Sequence, residues 1–248
     1  MFSFIQANIL IDILGMESKE LEVSEQIENI SLNETKHSIG KQYKEKIETL
    51  VITVELKRVI IWCISQFCRG DPEPEFNKIY ICIYTLNAFL ESDEDTLITE
   101  SCIWGLSYLS DGEDNIGALL MKNLSYKPLV RKLAKNHKNE IRFPVLRIFG
   151  NLLVGSNGIK NAQIFVENKL LDTLGGLVKE LLIVEVDSKN NEQNTNNIVL
   201  FNEIIWCLKN IIMVNNFYVN NEFANNEDLN NNLLFFLVTN PDFIVTIY

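Results

Sequence analysis

A repeated segment constrains the fold of this chain more than any other feature. Four segments align on the same residue types: WCISQFCRG from Trp62, WGLSYLSDG from Trp104, RIFGNLLVG from Arg147 and WCLKNIIMV from Trp206. Their first residues are 42, 43 and 59 residues apart, and an Asn-rich stretch at 187–197 accounts for most of the longer last interval. Repeats of this length bury their apolar faces against neighbouring repeats. We therefore expect a repeat array.

The repeat length and the composition predict helices. A period near 42 is typical of the two- and three-helix armadillo and HEAT repeats. The 248-residue chain contains only 5 prolines and 11 glycines, too few for a many-turned β protein. Its 47% hydrophobic residues are sufficient to bury one face of each helix. The sequence therefore predicts an all-α solenoid.

The charge and the apolar runs exclude two classes of partner. A net charge of −11 argues against nucleic-acid binding, which requires a basic surface. The same charge suits a basic partner, although acidity also keeps proteins soluble. The most apolar runs, 1–14 and 51–67, are interrupted by charged residues, so no membrane-spanning helix is predicted. We expect a soluble, intracellular protein that binds neither nucleic acid nor membrane.

The cysteines and histidines predict no metal site, no cofactor and no enzymatic activity. The five cysteines form no CxxC pair, and the two histidines lie far from them in the sequence. No nucleophile, base and orienting group occur together. Three cysteines lie beside the repeat tryptophans and are expected to fill the core: Cys63, Cys102 and Cys207.

Residue pairs four positions apart point to a binding surface, because such pairs share one face of a helix. The pairs are Trp62 with Gln66, Trp104 with Tyr108, Arg147 with Asn151, and Trp206 with Asn210. An amide can bind a peptide backbone, while an indole attracts cations. Tryptophans at helical spacing more often lie in the core, but a core position does not require a repeated amide or phenol. We interpret the pairs as a ladder that binds an extended peptide.

The segments WCISQFCRG, ESCIWGLSYLSDG, PVLRIFGNLLVG and NEIIWCLKN resemble consecutive armadillo repeats of importin alpha (karyopherin alpha), the adaptor that binds nuclear localisation signals. The likeness is best over 58–216 and weaker over 2–33. It implies an armadillo-repeat, right-handed superhelical solenoid in the cytoplasm and nucleus. Its concave groove would bind the Lys/Arg-rich signals of cargo proteins for nuclear import.

The resemblance also implies which residues bind the signal peptide. Tyr108 and Arg147 match family residue types, and Gln66 replaces a family asparagine. Glu203 matches an acidic position that pairs with a signal lysine, and Arg69 matches a basic residue that separates two peptide sites. The full set is Trp62, Gln66, Arg69, Trp104, Tyr108, Arg147, Asn151, Glu203, Trp206 and Asn210.

The predicted organisation is a single array over 1–248 that departs from the family at both ends. In the weak first repeat, Glu25 stands where a family tryptophan would be. No basic importin-beta-binding arm is evident in a chain that begins MFSFIQ, so recruitment of importin beta stays open. The alternatives are an armadillo scaffold for protein assembly that has lost signal binding, and an incomplete or decaying copy. The predicted segments are a weak repeat at about 1–35, repeats at 41–75, 76–115, 116–158 and 159–216, a flexible insert at 187–197, and a degenerate C-terminal cap at 217–248.

Overall fold

The computed structural model describes residues 41, 44–45, 53–69, 76–91, 95–112, 114–123, 126–133, 138–187, 191–214 and 217–231. Across these residues the regular structure is helical throughout, which confirms the all-α prediction for this part of the chain. The weak repeat predicted at about 1–35 lies outside the described residues, as does the chain after 231. The chain divides into two compact units, Met1–Ser125 and Tyr126–Tyr248. We describe each unit separately.

In unit 1, two helices carry copies of the repeated segment and pack against each other. The first is α1, which contains Trp62, and the second is α3, which contains Trp104. Helix α2 packs against α1, α3 and α4. The described helices are α1 (Val54–Cys68), α2 (Phe76–Glu91), α3 (Thr96–Ser110) and α4 (Asp114–Asn123). Fully buried side chains of the core include Ile61, Ile83, Leu86, Phe89, Ile103 and Leu106.

A glycine allows α3 to pack closely against its neighbours. A Cβ atom on Gly105 would lie 2.6 Å from Cδ1 of Leu86 and 3.1 Å from Cα of Ser65 on α1. A larger residue would therefore require the Leu86 side chain to move and Ser65 to shift by a few tenths of an ångström. The glycine after Trp104 allows the two helices that carry the repeat to pack closely.

Asp95 links the start of α3 to α1. Its Oδ1 accepts hydrogen bonds from the backbone N–H groups of Leu97 at 3.0 Å and Ile98 at 3.3 Å, which is an N-cap. Arg58 of α1 donates to both carboxylate oxygens, from Nε at 2.9 Å and from Nη2 at 2.7 Å. The hydrogen bond from Arg58, together with the two backbone bonds, holds the pKa of Asp95 below its usual value.

Replacing Asp95 with alanine is expected to lower the free energy of unfolding by about 1–2 kcal/mol at pH 7, because a cap and a partly exposed ion pair are lost. The native pKa is depressed, so this stabilisation is present above the unfolded-state pKa near 4 and is lost as the pH falls through the native value. Urea unfolding of both proteins at pH 7 and pH 3 measures the effect. Glu222→Ala, at an exposed position of α10 (Phe217–Asn225), should change stability by less than about 0.5 kcal/mol. A wild-type advantage that did not shrink at pH 3 would contradict the electrostatic origin.

In unit 2, the repeated segments from Arg147 and Trp206 again lie on two helices that pack together, α6 and α9. Helix α7 packs against α6, α8 and α10, and α9 also contacts α8 and α10. The described helices are α5 (Tyr126–Lys132), α6 (Asn139–Val154), α7 (Gly158–Glu167), α8 (Leu170–Asp187), α9 (Asn191–Met213) and α10 (Phe217–Asn225). Core residues include Leu146, Phe149, Phe165, Leu174, Phe201 and Ile204.

The second half of the segment predicted as a flexible insert, 187–197, is helical. Helix α9 begins at Asn191, inside this Asn-rich stretch, and Asn197 is only 7% exposed. The buried face formed by Leu200 and Phe201 fixes the helix, and extending an existing helix costs far less than starting one. Low apolar content therefore did not prevent helix formation.

The described part of the C-terminal region includes packed residues. Within the cap predicted at 217–248, residues Phe217–Asn225 form α10, and Val219 and Leu229 are buried.

Of the five cysteines, Cys68, Cys102 and Cys207 are buried. None of the helices in the described ranges combines the length and apolar character needed to cross a membrane.

Candidate functional site

The ten predicted site residues fall into two groups, one in each unit. The unit 1 ladder consists of site residues on α1, on α3 and at the C-cap of α1. The unit 2 ladder consists of site residues on α6 and α9. The unit 1 ladder consists of Trp62, Gln66, Arg69, Trp104 and Tyr108. The unit 2 ladder consists of Arg147, Asn151, Glu203, Trp206 and Asn210.

The unit 1 ladder is an aromatic surface with one cation over it. Trp62 is 55% exposed although it is a large apolar residue. The ring centroids of Trp104 and Tyr108 lie 5.7 Å apart, one turn apart on α3. The guanidinium carbon of Arg69 lies 5.7 Å from the centroid of Tyr108, within the range of a cation–π interaction. The surface is therefore already suited to holding a guanidinium against an aromatic face.

The amide of Gln66, predicted to bind a peptide backbone, makes one long hydrogen bond within its own helix. Its Nε2 lies 3.4 Å from Oγ of Ser65, and that hydroxyl itself donates to the carbonyl of Trp62 at 2.8 Å. Both contacts are local to α1. They connect the amide, through the Ser65 hydroxyl, to the backbone carbonyl of Trp62 one turn earlier.

The unit 2 ladder is built around contact between Trp206 and Gly150. A Cβ atom on Gly150 would overlap Cζ3 of the indole and would lie 2.7 Å from Cη2, so the ring of Trp206 rests directly on the backbone of α6. Nδ2 of Asn210 donates to the carbonyl oxygen of Gly150 at 3.1 Å. This hydrogen bond orients the Asn210 amide, so that its Oδ1 points away from the Gly150 carbonyl. Trp206 and Asn151 are both half-buried.

An ion pair joins the two helices of the unit 2 ladder. Nε and Nη2 of Arg147 on α6 both lie 3.3 Å from Oε1 of Glu203 on α9. The side chain of Arg147 is 52% exposed, whereas that of Glu203 is 17% exposed. The carboxylate is thus held at the edge of the ladder, one turn before Trp206.

The groups at the site include a thiol, aromatic rings, amides and a carboxylate. Burial, with a smaller contribution from the charge of Glu203, raises the pKa of the Cys207 thiol to about 12, so it stays protonated and is a poor nucleophile. In the described ranges, no three His, Cys, Asp or Glu side chains come together in a way that could hold a metal ion. Aromatic faces, amides and one partly buried carboxylate can instead bind cationic side chains and a peptide backbone.

Sequence reasoning missed Gly150 as a site residue. It stands in the repeated segment between Arg147 and Asn151, three positions after the lead residue, where the other copies have Ser65, Ser107 and Lys209. The available signal was the glycine itself, which replaces the serine or lysine of the other copies. A glycine inside a helical segment often indicates that a neighbouring side chain or backbone approaches closely.

Comparison with known proteins gives partial matches to one family. Importin subunits alpha-1b and alpha-1a of rice (Oryza sativa subsp. japonica) are each 29% identical, over 126 and 130 residues. These matches cover 50% and 52% of this chain but only 23% and 24% of the relatives. Importin subunit alpha-3 of Arabidopsis thaliana is 29% identical over 127 residues, 51% of this chain and 23% of its own length. The chain therefore matches about a quarter of the length of these relatives. No protein-family model matches it.

A solved structure decides the fold. A designed armadillo-repeat protein, determined in complex with the peptide (KR)4, superimposes with a TM-score of 0.53 at 15% identity, covering 91% of this chain and 87% of the designed protein. This chain has the armadillo-repeat fold and is similar in sequence, over about half of its length, to importin alpha subunits. The predicted armadillo class and the resemblance to importin alpha are confirmed.

Proposed function

We propose that this armadillo-repeat protein is an adaptor that binds Lys/Arg-rich segments of partner proteins through its two ladders. The segments are nuclear localisation signals of cargo proteins. The cellular role is then nuclear protein import, with the protein present in both cytoplasm and nucleus.

The exposure of the ladder tryptophans carries this proposal. In a helical repeat a tryptophan ordinarily lies in the core, but Trp62 is 55% exposed, and Trp104 and Trp206 are half-buried. An exposed indole contributes little to stability, whereas it binds the aliphatic stem and the charge of a lysine or arginine. The amides of Gln66 and Asn210 stand one turn away on the same faces.

The charge of the protein and the comparisons support a basic ligand. The net charge of −11 attracts cationic peptides and accelerates their association. The designed armadillo protein that shares the fold was solved with an alternating Lys/Arg peptide. Both facts favour a basic segment over an acidic or apolar one.

One observation favours the alternative of a scaffold without signal binding. Arg69 lies over Tyr108 and Arg147 contacts Glu203, so internal cations occupy part of each ladder. A scaffold of this kind would keep the fold and bind partners without requiring a basic segment.

The test is titration of a fluorescent KKKRK peptide into the purified chain at about 50 and 200 mM salt. We expect micromolar binding that weakens at the higher salt. Trp62→Ala should weaken binding about tenfold, because an exposed indole contributes roughly 1–2 kcal/mol to such contacts. The measurement is fluorescence anisotropy, with circular dichroism to verify folding.

The control variant is Tyr218→Ala, which removes an exposed aromatic of α10 outside both ladders and should leave affinity within twofold. A peptide with alanine in place of each lysine should not bind. Equal affinity for the two peptides, or no binding by the folded protein, would overturn the adaptor proposal in favour of the scaffold.

A further inference from the structure

The ion pair between Arg147 and Glu203 places an internal cation on the carboxylate of the unit 2 ladder. Glu203, Trp206 and Asn210 are spaced three and four residues apart on α9, so they share one face. A ligand cation held against Trp206 therefore has Glu203 as its acidic neighbour on the same helix. That carboxylate is already contacted by Arg147, through Oε1 at 3.3 Å from two guanidinium nitrogens.

The geometry of the pair allows Arg147 to be displaced. Its side chain is 52% exposed, so it can move into solvent, whereas Glu203 is 17% exposed and fixed on a buried stretch of α9 between Phe201 and Ile204. Both contacts use one carboxylate oxygen and both are longer than the 2.7–2.9 Å typical of strong charged pairs. An ion pair that is half-exposed in this way is weak. A ligand lysine can therefore replace the guanidinium.

We propose that Arg147 is a built-in competitor of the ligand, which raises the binding threshold of the unit 2 ladder and thereby makes it selective. This inference rests on the proposed binding of basic segments. A single cation gains little by exchanging with Arg147, because one ion pair replaces another. A lysine that also contacts Trp206 and whose backbone bonds Asn210 gains those contacts in addition. The site consequently discriminates an extended basic peptide from an isolated cationic side chain.

The experiment measures binding of the KKKRK peptide to the full chain carrying Arg147→Gln, by anisotropy at about 50 mM salt. We expect binding to tighten about threefold to tenfold, because the cation that competes for the Glu203 carboxylate is removed. Arg147→Lys keeps the charge and should stay within twofold of the wild type. The control for overall charge is Arg131→Gln, at an exposed position of α5, which should change affinity by less than about twofold.

A double-mutant cycle with Glu203→Gln tests the mechanism. Glu203→Gln should weaken binding, and adding Arg147→Gln to it should have no further effect beyond that of Arg131→Gln. Weaker binding by Arg147→Gln would show that Arg147 positions Glu203 and would overturn the inference. An effect equal to that of Arg131→Gln would overturn it as well, while the adaptor proposal stands. Absence of binding by every variant, including the wild type, would instead overturn the proposed function itself.

Discussion

Replacing Gly150 with alanine is expected to displace Trp206, to destabilise the protein by about 1–3 kcal/mol and to weaken binding of a KKKRK peptide about tenfold. The added Cβ would overlap the six-membered ring of the indole, and neither the helix backbone nor a large planar side chain can yield cheaply. Displacing α6 from α9 would also stretch the hydrogen bond from Asn210 to the Gly150 carbonyl, now 3.1 Å. The added methyl group therefore changes both the position of the Trp206 indole and the hydrogen bond of Asn210.

A second glycine provides the matched control. Gly176 lies within α8 at an exposed position, and a Cβ there would meet no atom within 4 Å. Gly176→Ala should raise stability by about 0.5–1 kcal/mol through helix propensity and leave binding unchanged. Urea unfolding measures stability, and the emission spectrum of Trp206 in a Trp62→Phe, Trp104→Phe background reports its surroundings. If Gly150→Ala behaved like Gly176→Ala in both measurements, the indole would not rest on the α6 backbone.

The fold was largely predictable because its signals are local. Helix α3 spans Thr96–Ser110, and the signals that bound it, a capping residue at Asp95 and a glycine at 112, are both visible in the sequence. The start of α9 was not predictable, because an Asn-rich composition normally indicates a loop. Packing of the apolar face that follows, around Phe201, extends the helix through residues that would not form one alone.

The candidate site was predictable in its residue types but not in its pairings. The spacing of four residues places Trp104 beside Tyr108, and their rings are indeed 5.7 Å apart. Contacts between α6 and α9, such as that of Arg147 with Glu203, join residues 56 positions apart and depend on how the two helices align with each other. The sequence does not give this alignment, because the spacing between these two copies is longer than between the others. The role of Gly150 stayed hidden for the same reason.

Replacing Glu180 with glutamine is expected to lower the free energy of unfolding by about 2–3 kcal/mol. Glu180 on α8 accepts hydrogen bonds from Nη2 of Arg142 on α6, at 3.1 and 3.0 Å to its two oxygens. The side chain of Arg142 is only 5% exposed, so the variant leaves a buried guanidinium without its carboxylate. The expected loss is smaller than for a fully buried pair because Glu180 is 27% exposed and water can partly replace it. Urea unfolding at pH 7 gives the difference.

Two further variants separate the cost of a buried charge that has lost its carboxylate from the value of the ion pair. Arg142→Met combined with Glu180→Gln removes the charge together with its partner and should be more stable than Glu180→Gln alone, because a methionine in the same volume needs no counter-ion. Lys169→Gln breaks a pair with Asp172 in which both side chains are mostly exposed, at 3.7 Å, and should cost less than about 0.5 kcal/mol. If Glu180→Gln cost no more than Lys169→Gln, water would be solvating the Arg142 guanidinium.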